Sequence, residues 1–137
     1  MATEISLKSL LVPSKTVEVE YPGFPEFKID IGYMSRETLI SLRKKSTKNS
    51  FKGKTVQDDF NEELFLELYV DAAIRGWKGL RFSYVNLLVP VDVSKFDPLD
   101  ELAYSKENAL MLMKNSSQFD NFISEQVNDL ANFTTSS

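Results

Sequence analysis

At 137 residues, 42% apolar and 26% charged, the chain is sized and balanced for one globular domain with its own core, and extended disorder is not expected away from the ends. It has no cysteine and no histidine, which removes disulfides, thiolate and imidazole catalysts, and the commonest ligands of zinc and other transition metals. The net charge of −4 is unevenly placed: residues 1–54 hold ten Lys/Arg against six Asp/Glu, and residues 55–137 hold six against fourteen, so the two halves attract.

The N-terminus, Met1 to Lys8, carries an early acid and no long apolar run, and no stretch has the length of a membrane helix; a cytosolic protein without membrane association is expected. Ile5, Leu7 and Leu10 to Val12, then the alternating Val17-Glu18-Val19-Glu20-Tyr21 and Phe27-Lys28-Ile29-Asp30-Ile31, read as short strands. Pro13-Ser14-Lys15 and Pro22-Gly23-Phe24-Pro25-Glu26 separate them, the second as an irregular antiparallel turn. Ser35 is placed to cap a helix from Arg36 to about Lys45, with Met34 and Leu39 forming a hydrophobic staple.

Six cations and no acid follow between Arg43 and Lys54. With an acidic overall balance and acids at Asp58, Asp59, Glu62 and Glu63 just downstream, the run reads as a solvated helix end and loop, not a nucleic-acid module. Gly53-Lys54-Thr55 lacks the earlier glycine of a phosphate-binding loop. Thr55 is instead expected to cap a central helix running from Val56 to Arg75. Its Phe60, Leu64, Leu68 and Ala72 repeat every four residues, and only Glu63, Glu67, Asp71 and Arg75 form a polar stripe. Asp58 with Glu62 is a carboxylate pair, but acids in a first helical turn serve the helix dipole, so no catalytic residue, cofactor or metal site is expected.

Gly76 and Gly79 flank the single tryptophan and are expected to stop that helix and turn the chain, placing Trp77 in the core with Phe60, Leu64 and Leu68. Arg81 to Val93 reads as a strand or apolar loop limited by Pro90. Asp92, Asp97, Asp100 and Glu101 lack the ligand spacing and glycine of a calcium loop and read as solvated. Ser105 caps a helix through Met113, and a second helix follows on Phe119, Phe122, Ile123, Val127, Leu130 and Ala131. The two form a hairpin beside the central helix, with Thr134 to Ser137 a flexible tail. The expected fold is a single α+β domain over residues 1–133, a small N-terminal antiparallel sheet packed on about four helices.

Taken together, Gly32-Tyr33-Met34-Ser35-Arg36-Glu37, Leu42-Arg43-Lys44-Lys45, the acidic Asp58-Asp59-Phe60 to Ile74 helix, Arg75-Gly76-Trp77-Lys78-Gly79-Leu80, Ser105-Lys106-Glu107-Asn108-Ala109 and the closing Asn132-Phe133 make a pattern. It resembles the tail assembly chaperones of long-tailed bacteriophages over about residues 17–133, with a long insert from Arg81 to Ala103. The resemblance implies a non-virion protein of the host cell cytoplasm that binds the tape-measure protein, keeps it from aggregating and recruits tail-tube subunits. Such chaperones are often also made as a longer frameshift product. A tail structural or connector protein of the virion is the alternative.

For a helical client, unbranched thioethers and aromatics supply adaptable walls. Met111, Met113, Phe119 and Phe122 are the candidate partner-binding residues. Met111 and Met113 lie two residues apart, about 200° of helical rotation, so one belongs to the core and the other is free. Closure of the monomer core, or a homo-oligomer contact, is the competing use of all four.

Overall fold

A computed structural model describes residues 6–10, 15–52 and 55–129. Elements in chain order are α1 (Leu7–Leu10), β1 (Thr16–Glu20), β2 (Lys28–Gly32), α2 (Arg36–Lys45), β3 (Thr47–Lys52), β4 (Thr55–Phe60), α3 (Glu62–Ala73), β5 (Ile74–Lys78), α4 (Phe82–Leu88), a 3-10 turn at Val93–Lys95, α5 (Lys106–Asn115) and α6 (Ser117–Asn128). The fold is α+β, with two antiparallel sheets, one ordered β1-β2-β5 and the other a β3-β4 hairpin.

Alternation sets the sheet. Ile29 and Ile31 on the middle strand β2 are fully buried, while Glu18 and Glu20 on the edge strand β1 stay exposed. The β1–β2 connection folds as a tight aromatic turn in which Tyr21, Phe24 and Phe27 are all buried. Tyr21 lies 4.8 Å from Phe24 and 5.5 Å from Phe27, centroid to centroid. Between β2 and β5 the register shifts at Asp30/Ile31: Asp30 pairs Gly76 and Ile31 pairs Ile74, leaving Arg75 as the extra residue of a bulge. The sheet comes close to α3 at Gly32, where any Cβ would collide with the Ala72 carbonyl oxygen.

Helix α2 begins as expected, with the Thr38 amide donating to Ser35 Oγ at 3.1 Å. The central helix does not. Val56 to Phe60 pair with β3, so α3 starts only at Glu62 and is capped by Asn61, whose Oδ1 accepts from the Leu64 amide at 3.0 Å, not by Thr55. Asp58 and Asp59 therefore lie on a strand, and the expected polar loop after Ser46 is a hairpin arm. Phe60, expected in the core, is 43% exposed at the end of that arm. Leu64 and Leu68 on α3 are half-buried.

At its other end α3 passes straight into β5, with Ile74 extended at φ −110, ψ 111. Gly76 is a strand residue and not a helix stop, while Gly79, at φ +75, makes the turn. Trp77 accordingly sits on a strand opposite Ile29, half-buried, and not at a helix end.

Two further expectations differ. Leu7 to Leu10 form a helical turn, not a strand, and Phe82 to Leu88 form helix α4. The expected Leu11–Val12 strand residues, the Pro13-Ser14 turn, Leu130 and Ala131 of the last helix, the domain boundary at residue 133 and the 134–137 tail lie outside the described residues. The last helices form the expected hairpin: Ser105 caps α5, and Ser116 ends α5 while capping α6. One buried cluster joins β2, α3, α4, α5 and α6.

Candidate functional site

Helix α4 exists because its first turn is satisfied from a distance. No side chain caps it, but the amides of Phe82 and Ser83 donate to the carbonyls of Asp100 (2.8 Å) and Pro98 (3.1 Å). Pro90 then follows the C-cap Val89, a position where a residue without an amide hydrogen suits a finished helix. The chain returns through Leu102, whose amide donates to Leu80 O at 2.7 Å and whose own carbonyl accepts from Trp77 Nε1 at 2.9 Å. Tyr104 meets the Trp77 ring edge-on at 5.2 Å.

These tethers hold a cleft of about 510 Å³ open between α4, the Val89-Pro90-Val91 segment and α5. Its walls are Val85, Val89, Val91, Leu102 and Leu112, with Met111 standing half in solvent at 50% exposure. Asn108 and Asn115 are its polar wall residues, and each commits its NH2 to a local carbonyl, Ala103 O at 3.0 Å and Met111 O at 2.8 Å. The cleft thus offers adaptable apolar contact with little hydrogen-bonding specificity. Leu87, Val93, Leu99 and Met111 are all large exposed apolar residues from this one region of the chain.

The four predicted partner-binding residues are not brought together. Met113, 5% exposed, and Phe119, fully buried, close the monomer core and are out of a partner's reach. Phe122 turns to the aromatic turn, 4.6 Å from Tyr21. Met111 alone of the four reaches the cleft. The opposite wall comes from the 81–103 segment, where Phe82, Val85 and Leu88 recur every three residues, a helical signal within an apolar run.

Of two other clefts, the first is polar and the second is as apolar as the cleft between α4 and α5. One of about 440 Å³ is lined by Asp71, Arg75, Tyr104 and Lys106. Lys106 pairs with Asp71 at 3.2 Å, and the Tyr104 hydroxyl donates to Ile74 O at 3.1 Å. Burial, with Asp71 nearby, raises the Tyr104 phenol above its ordinary range against the pull of Lys106 and Arg75, so it stays protonated at neutral pH. The other, about 320 Å³, lies between α3 and α5 around Leu68 and Leu110. In the acidic loop, the Ser94 hydroxyl and amide hold the Asp92 carboxyl below the usual carboxylate range, and Asp97 accepts from the Leu99 amide at 2.9 Å. Among the described residues no group of three or more acids is arranged to hold a metal ion, and no helix is long and apolar enough to cross a membrane.

Residues 31–137 match the family model of the YdaY prophage protein. No curated protein and no solved structure matches the chain.

Proposed function

The chain belongs to the YdaY prophage protein family and is phage-derived, and from that premise we propose that it is a tail assembly chaperone. On this reading it binds the tape-measure protein in the infected cell's cytoplasm, keeps its long apolar helices from aggregating, recruits tail-tube subunits and is absent from the finished particle. The observation that carries the reading is the open apolar cleft between α4 and α5 with Met111 on its edge. Helix α5 has ten residues, about 15 Å of length, enough for roughly three turns of a client helix to lie alongside it. The ordered set of segments resembling tail assembly chaperones supports the same role. No chemical step is part of it, and no cofactor is needed.

Co-expression of the chain with the tape-measure protein of the same prophage tests the proposal. The two should co-purify, and Met111→Glu should leave the melting temperature unchanged while weakening capture by about tenfold or more, as expected for a central contact residue. Mass spectrometry of purified particles should not find the chain. Its presence there in stoichiometric amount would make it a tail structural or connector protein instead.

A further inference from the structure

The groove between α3 and α5 carries charge in its own lining. Leu68, Val70 and Leu110 are its apolar residues, and Glu67, Asp71, Glu107 and Lys106 its charged ones, three acids against one cation. That cation is already engaged, with Lys106 Nζ 3.2 Å from Asp71. Glu67 and Glu107 are exposed and form no ion pair among the described residues, so uncompensated negative charge stands beside half-buried leucines. Helix α2 carries the complement. Leu42 is its buried residue, and Ile40, two residues or about 200° of rotation away, is 44% exposed. Arg36, Arg43 and Lys44 adjoin Ile40 one helical turn away, and all three are exposed. Glu37 is the acid on the same face, against those three cations, and none of the four forms an ion pair among the described residues.

Within one copy these two surfaces do not meet. The Arg43 guanidinium lies over the Phe65 ring at 5.5 Å, which puts α2 on the Phe65 side of α3, and Glu67 is two residues, about 200° around that helix, from Phe65. Between two copies nothing separates them. We infer that the α2 face of one copy docks in the α3–α5 groove of a second copy. Ile40 enters against Leu68 and Leu110, and Arg36, Arg43 and Lys44 answer Glu67 and Glu107. The two faces differ and lie on opposite sides of α3, so the contact is head-to-tail. A pair joined in this way keeps one free α2 face and one free groove, and further copies add to it. No residue of this groove lines the cleft between α4 and α5, so the inference does not depend on the reading of that cleft as the client site.

Sedimentation velocity on the full chain reads the assembly directly. At low salt the average mass should climb past that of a dimer as concentration rises, and about 0.5 M salt should weaken association by about tenfold as screening shortens the range of the charges. Arg36→Glu with Lys44→Gln reverses the α2 face, and Glu67→Lys with Glu107→Gln reverses the groove. All four positions are exposed, so thermal melts should show both variants folded. Each variant alone should stay monomeric, because its two faces then carry the same sign. Mixed in equal amounts the two should associate again, because every α2 face then finds a groove of opposite charge. Ile40→Gln, which alters no charge, should weaken association by about fivefold or more. A wild-type chain still monomeric at about 1 mM would overturn the inference. A groove variant that associates like the wild type would overturn it too, since the contact would then lie elsewhere. Loss of association in both variants without recovery on mixing would rule out the pairing of α2 with the groove, and an Ile40→Gln chain that associates unchanged would rule out Ile40 as the residue that enters it.

Discussion

Trp77→Ala tests the junction on which the candidate cleft hangs. The indole sits on β5 opposite Ile29, donates to the Leu102 carbonyl at 2.9 Å and receives Tyr104 edge-on at 5.2 Å. Full burial of such a ring puts truncation to alanine at about 3–5 kcal/mol. Trp77 is only half-buried, which moves the packing loss to roughly 2 kcal/mol or below. The hydrogen bond to Leu102 adds about 1 kcal/mol, because its carbonyl loses a partner within a partly buried wall. The sum is about 3 kcal/mol, or a fall of about 10 °C in melting temperature for a domain of this size. Trp77→Phe separates the parts: it keeps a ring against Tyr104 and loses only the donor, so about 1 kcal/mol is expected. Urea unfolding followed by far-UV circular dichroism is the assay, since either variant removes the chain's single tryptophan fluorophore. A loss below about 0.5 kcal/mol for Trp77→Ala would refute the reasoning, because neither the ring nor its bond to Leu102 would then hold the return segment to the sheet.

Gly79→Ala should cost more than 2 kcal/mol, since φ is +75 and the new Cβ would collide with the Glu26 carbonyl oxygen; thermal melts check it, and a near-neutral result would mean the turn relaxes freely. Ser116→Ala should cost about 1–2 kcal/mol, because this buried serine ends α5 and its Oγ accepts from the Phe119 amide at 3.2 Å; Ser116→Asp should recover much of the loss in the same denaturant assay. Burial raises the Tyr69 phenol above its ordinary 10.0, with Ser124 pulling it back and Asp120 adding to the rise, and burial raises Tyr21 and Tyr104 likewise. The unfolded chain therefore loses these protons first. Stability is unaffected below pH 10 and falls as pH rises through the folded values, and Tyr69→Phe should flatten that fall in melts taken across the alkaline range.

The elements legible in the sequence are those whose signals are local. Ser35 and Ser105 announce their helices because a hydroxyl next to the first turn satisfies amides whatever the rest of the chain does. The β1 and β2 alternation survives for the same reason: one face is buried and the other is not. The errors cluster where a partner distant in sequence decides. Val56 to Phe60 extend a four-residue repeat, and only pairing with β3 makes them a strand; Asn61-Glu62-Glu63, a cap followed by two acids, was the local sign of the true start. Ile74 to Lys78 read as a helix end and its stop, but pairing with Ile29 and Ile31 on β2 extends them. Helix α4 is the extreme case, because the carbonyls that complete its first turn belong to Pro98 and Asp100. That one helix supplies a wall of the cleft, so of the cleft's lining Met111 could be singled out from the sequence and Val85 and Val89 could not.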